Sequence, residues 1–169
     1  MQFINGFVEG IPFSNQHFDI VLTRLAFHHF TEVERPFSEM SRVLKHGGKL
    51  VVIDMEAAAQ EFRETEDRIE TMRDPSHVKN RSKQEFEYLF ERHGYALVKQ
   101  ESTAISVSLK AWLALTNTPE DTGKEITALM EEDMRGGKPT GFEPYIKDGE
   151  IYFNQRWLLL IGIKQDSNI

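Results

Sequence analysis

Two short apolar runs flanking an amphipathic helix constrain this 169-residue chain more than any other feature of it. Phe18–Thr23 (FDIVLT) is almost continuously apolar, and so is Leu50–Ile53 (LVVI), which ends at Asp54. Apolar character without alternation is the pattern of a strand buried on both faces. Between them, Thr31–Leu44 reads as a helix: Pro36 suits a first turn, and Phe37, Met40, Val43 and Leu44 share one face. Gly47-Gly48 follows as a stop signal, because glycine enters the left-handed cap conformation without a Cβ clash. Strand, helix, strand with short links is a βαβ unit, which normally crosses over right-handed and pairs its strands in parallel. The class is therefore α/β.

Turn signals divide the remainder. Gln2–Ile4 reads as the end of a strand, and Asn5-Gly6 and Gly10–Asn15 as turns. Ala57–Met72 is helical in propensity and is broken by Asp74-Pro75. Ser82, with Glu85 three residues on, opens another helix that Gly94 stops. Tyr95–Ser102 reads as a strand and Ser108–Thr116 as a short helix. Thr118, Pro119 and Asp121 mark the cap of a further helix that ends at Gly136-Gly137. Lys138–Tyr145 is a loop, Asp148-Gly149 a hairpin turn signal, and Trp157–Lys164 a final strand. Trp112 and Trp157 are expected in the core. No linker separates independent domains, so residues 1–169 read as one domain.

Charge and composition narrow the function. Twenty Lys and Arg against 27 Asp and Glu leave a net charge of −7. With no basic block, nucleic acid and anionic membranes are poor partners. The absence of cysteine removes disulfides, thiolate nucleophiles and Cys-type zinc sites, and fits a cytoplasmic protein. The longest apolar run, Trp157–Ile163, is too short to span a bilayer. The six histidines show no ligand spacing, so no metal is expected.

Several strings then occur in a telling order: Glu9-Gly10-Ile11-Pro12-Phe13, Phe18-Asp19-Ile20-Val21, His28-His29-Phe30, Arg42-Val43-Leu44-Lys45-His46-Gly47-Gly48, and Val51-Val52-Ile53-Asp54. This series resembles the class I S-adenosylmethionine-dependent methyltransferases, in particular the ubiquinone/menaquinone-biosynthesis-like branch that acts on small molecules. Arg73-Asp74-Pro75-Ser76-His77-Val78 resembles the C-terminal half of the same branch. The resemblance implies an α/β, Rossmann-like methyltransferase fold, with parallel strands and a C-terminal antiparallel strand. It implies S-adenosylmethionine as cofactor and a small-molecule methyl acceptor. The glycine-rich loop and the acid that holds the ribose hydroxyls are not in the sequence, so the expected fold is an incomplete one that lacks the first two βα units and grips the cofactor weakly or not at all. Segments 57–81 and 104–147 would be lid or insert segments.

The resemblance also assigns residues. Where the family usually has an acid that receives the adenine amino group, this chain has Phe7, beside Val8; a phenyl ring packs on a purine but accepts no hydrogen bond from it. Arg24 and Leu25 follow the Phe18–Thr23 strand and would lie by the methionine end of the cofactor, since ligands in open α/β sheets sit outside the carboxyl ends of the strands. His28 and His29 are candidates for taking a proton from the attacking acceptor atom. Asp54, His77, Phe142 and Tyr145 are candidate acceptor-side residues; ordering a neighbouring loop or capping a helix are further readings of Asp54, and a plain Asx-type turn explains Asp74-Pro75-Ser76 beside His77 equally well. Asp19 reads as structural, and Glu39 with Arg42 as a local ion pair.

In the family, strand one lies beside the strand that corresponds to Phe18–Thr23. Without it that edge is open, which predicts either repacking of the N-terminal segment beside it or a homodimer or strand exchange through it. A non-catalytic dimeric or partner-binding module derived from a methyltransferase is the alternative to an enzyme.

Overall fold

The computed structural model describes residues 2–166. Strand β1 (Phe18–Arg24), helix α1 (Glu34–Val43) and strand β2 (Leu44–Met55) form the expected βαβ unit. β1 and β2 pair in parallel, with Val21 opposite Leu50 and Thr23 opposite Val52. Helices α2 (Arg63–Arg73) and α3 (Lys83–Arg92) follow, then strand β3 (Tyr95–Ser108), helices α4 (Leu109–Leu115) and α5 (Glu120–Met134), and strands β4 (Tyr145–Lys147) and β5 (Glu150–Lys164). The strand order is β1-β2-β5-β3, with β4 paired antiparallel to β5.

The chain divides into two compact units. The first comprises the residues up to Asp54, Lys83–Glu101 and the residues from Leu158 on; the second comprises Met55–Ser82 and Ser102–Trp157. In the first unit, Phe37, Met40 and Leu44 from the α1 segment and Phe86, Leu89 and Phe90 from α3 pack with Leu50, Val52, Leu158 and Leu160 of the sheet. Glu34 at the start of α1 reaches Arg92 and His93 at the end of α3, each at 2.9 Å. Lys164 of β5 donates to the carbonyls of Ser41 and Leu44 where α1 ends, and its desolvation lowers its pKa. In the second unit, Trp112, Phe142 and Phe153 meet edge to face around Ile69, Ile126 and Met130.

Several expectations need correction. β1 is not buried on both faces: Val21 faces the core, while Ile20 and Leu22 are each 60% exposed. Residues 2–7 form no strand and do not pair with β1; Phe3 and Phe7 stand out into solvent. Helix α1 ends at Val43 because Leu44 turns extended, so the glycines are not its cap. Instead they accommodate an irregularity in the β1–β2 ladder, where pairing jumps from Phe18–Leu44 to Ile20–Lys49. Gly47 there has φ +72°, and a Cβ on Gly48 would lie 2.8 Å from both Leu44 Cδ1 and the Lys45 carbonyl.

Ala57–Phe62 is not helical. The amide of Ala57 donates to the Arg81 carbonyl and that of Ala58 to Glu66 Oε2, contacts that hold the start of this segment against the chain before α3 and against α2. Thr118 does not cap α5; its hydroxyl bonds the Arg73 carbonyl and Thr116, and Pro119 occupies the cap position. The Asp148-Gly149 turn does close the β4–β5 hairpin, with φ of 52° and 77°. Trp112 is buried as expected, but Trp157 is half-buried, with its indole N–H on Gln155.

Candidate functional site

The carboxyl ends of β1 and β2 carry the candidate residues together. Parallel strands deliver their last residues to one end of the sheet, so Arg24 stands opposite Ile53, one residue before Asp54. Leu25 leaves the strand with φ +50°, its amide bonded to the Ile53 carbonyl. A branched, non-glycine residue in the left-handed region costs on the order of 1 kcal/mol, and such strain concentrates where function demands a sharp exit from a strand. The chain then forms a single 3-10 turn, Phe27–His29.

Asp54 organises that turn. Its carboxylate is 1% exposed. Oδ2 accepts the amides of Ala26 and Phe27 at 3.0 and 2.8 Å, and Oδ1 lies 2.6 Å from Nδ1 of His28. A carboxylate only accepts, so the proton of this contact sits on Nδ1 and the basic nitrogen of His28 is Nε2. The His29 ring lies 4.1 Å from that of His28, centroid to centroid. Asp54 is thus a positioning group that sets the turn and the histidine tautomer. Its oxygens hold the neighbouring turn, which is the loop-ordering reading of this residue.

Phe7 and Val8 lie at the other end of the Glu9–Phe13 string. Phe7 opens the 3-10 turn Val8–Gly10 and is 84% exposed, while Val8 packs against the core. Glu39 and Arg42 are more than a local pair. Arg42 grips both oxygens of Glu39 and donates to the carbonyls of Ile11 and Phe13 and to Asn15, while Glu39 accepts the Ile11 amide. The guanidinium lowers the Glu39 pKa to about 2. Asp19 pairs with Lys45 at 2.8 Å, as a structural residue should.

The remaining candidates belong to the second unit and do not form one site. His77 is buried, with Nε2 3.0 Å from Asp67, in the turn where Asp74 accepts the amide and hydroxyl of Ser76. Phe142 is a core residue, because its ring finds Trp112 and Phe153 at 5.6 and 5.1 Å and gains more from burial there than from lining a wet pocket. Tyr145 bonds Ser106 at 2.5 Å and sits beside Tyr152.

Sequence reading missed Glu66. It is 4% exposed, bonds the Ala58 amide, and pairs with Arg156, which also holds the Gly141 carbonyl. Burial outweighs these partners and raises its pKa to about 7. The signal was present: Glu66, Ile69, Glu70 and Arg73 recur at helical spacing, which puts both carboxylates on the apolar face of α2.

Comparison with known proteins shows what the chain is similar to. The family described as the methyltransferase domain matches residues 1–52. The uncharacterized methyltransferase YcgJ of Bacillus subtilis is 28% identical over 98% of this chain and 66% of its own length. The ubiquinone/menaquinone biosynthesis C-methyltransferase UbiE of Bordetella parapertussis is 40% identical over 52 residues, 31% of this chain and 20% of that protein. A crystal structure of a Bacillus halodurans protein assigned as a methyltransferase superposes with a TM-score of 0.86 at 26% identity, over 98% of this chain and 78% of that one. The chain thus spans at most about two thirds of the length of these curated relatives. Sequence likeness along nearly the whole chain and a shared fold lead to one statement: the chain is similar to methyltransferases.

Proposed function

We propose that this protein transfers a methyl group from S-adenosylmethionine to a small-molecule acceptor, with the cofactor's methionine end against Arg24 and Leu25. The arrangement of Arg24, the left-handed Leu25 and the Asp54-held turn at the carboxyl ends of two parallel strands carries this reading. These residues fit the cofactor: a guanidinium for a carboxylate, a sharp backbone exit beside it, and at Phe7 an exposed ring for a purine. The bound cofactor would supply an electrophilic methyl group. Arg24 orients; His28, its tautomer set by Asp54, offers Nε2 to the acceptor's proton, with His29 beside it. Segments 57–81 and 104–147 are lid or insert segments in this reading. The reading places the reaction in the cytoplasm, which a cysteine-free sequence fits; no described helix is long and apolar enough to cross a membrane.

Calorimetric titration with S-adenosylmethionine tests this. Weak, saturable binding, with Kd on the order of 100 µM or above, is expected, and Arg24→Ala should weaken it about tenfold, or by ~1.4 kcal/mol. Binding that Arg24→Ala leaves unchanged would refute the assignment of Arg24 and Leu25 to the cofactor.

The edge of β1 supports a second reading, a module that pairs with its own copy. Ile20 and Leu22 are exposed there on the strand that ends the sheet among the described residues. Sedimentation velocity decides it: a monomer at all concentrations up to about 100 µM would rule out a useful dimer.

A further inference from the structure

The second unit contains a groove of about 620 Å3 between α4, α5 and the start of β5, lined by residues that none of the chemistry above employs. Its floor and walls are aliphatic: Leu109, Leu113, Pro119, Ala128 and Ile151. This is the size and character of a small-molecule site rather than a water-sized void. The pairing of its rim charges decides what it would take. Lys110 lies 4.0 Å from Glu150, Lys124 lies 2.8 Å from Glu120 and 3.4 Å from Asp121, and Glu131 lies 3.6 Å from Arg135. Each cation at the mouth already faces a carboxylate of this chain, so a charged ligand would have to break a pair to gain one. An uncharged ligand meets no such cost. One polar contact is built into the mouth: Asn117, held at φ +51° with its amide N–H on the Ala114 carbonyl, presents a side-chain donor and acceptor together.

We propose that this groove binds a neutral, predominantly apolar small molecule with one hydrogen-bonding end directed at Asn117. The inference does not depend on methyl transfer, since every lining residue belongs to the second unit.

The test uses the uncharged fluorescent probe N-phenyl-1-naphthylamine and its anionic counterpart, 1-anilinonaphthalene-8-sulfonate. The neutral probe should bind saturably and at least tenfold more tightly than the anionic one. Ala128→Trp, which fills the groove from the exposed side of α5, should reduce affinity at least tenfold while leaving the melting temperature near that of wild type; Ala128→Ser should leave affinity unchanged. Should Ala128→Trp fail to fold, Leu113→Gln, a change of wall polarity at similar volume, carries the same expectation. Linear uptake, equal affinity for the two probes, or insensitivity of a folded variant to either substitution would overturn the proposal.

Discussion

Asp54 holds the amides of Ala26 and Phe27 and the imidazole of His28 with almost no contact with solvent, so its loss should tell on the first unit. Asp54→Ala leaves two buried amides and an imidazole without their acceptor, and should cost about 3 kcal/mol in urea unfolding. Glu66 gives a second expectation, with a sign fixed by its shift. Its pKa is raised from the ordinary carboxylate range to about 7, so the folded state holds a proton that the unfolded chain has released. Its contribution to stability is complete below about pH 4.5 and is lost as pH rises through 7. Melting temperature should therefore fall between pH 5 and pH 8, and Glu66→Gln should flatten that slope; an unchanged slope would clear Glu66 of the effect. At this scale the sequence was only partly legible. The strand ends announced His28 and Asp54, but that they touch one another depends on a parallel register no local pattern contains. The burial of Phe142 was not legible because a loop aromatic looks alike in sequence whether it lines a pocket or plugs a core.

At the scale of elements, the βαβ unit was readable because periodicity and turn chemistry agree there. Where they failed, partners distant in sequence had taken the local amides and cap groups. Ala57–Phe62 has helical residues but gives its first amides to Glu66 and Arg81, and the Thr118 hydroxyl is drawn to Arg73 instead of to its own helix. The face of β1 was misjudged for a different reason: an apolar run records what a strand could bury, and Ile20 and Leu22 are in fact open. Gly48 supplies the test at this scale. Gly48→Ala places a methyl group against two backbone carbonyls and Leu44, and should destabilise by about 1–3 kcal/mol, whereas Lys49→Ala next to it should be nearly neutral by the same denaturation measurement.

For the whole molecule, the open edge and the exposed aliphatic residues beside it argue for self-association that depends on β1. Leu22→Lys should shift a concentration-dependent sedimentation coefficient toward the monomer and leave the far-UV spectrum intact. Connectivity has a further consequence. Leu158 and Leu160 lie in the same core as Phe27 and Phe37, and Lys164 ties down the end of α1. The first unit therefore closes around β5, which is synthesised after the other described elements of that unit. Until β5 emerges, Phe27, Phe37, Leu50 and Val52 have been made but lack the strand that completes their core. Over that interval a nascent chain of this kind carries half-covered apolar surface, which folding must hide before it finds another chain.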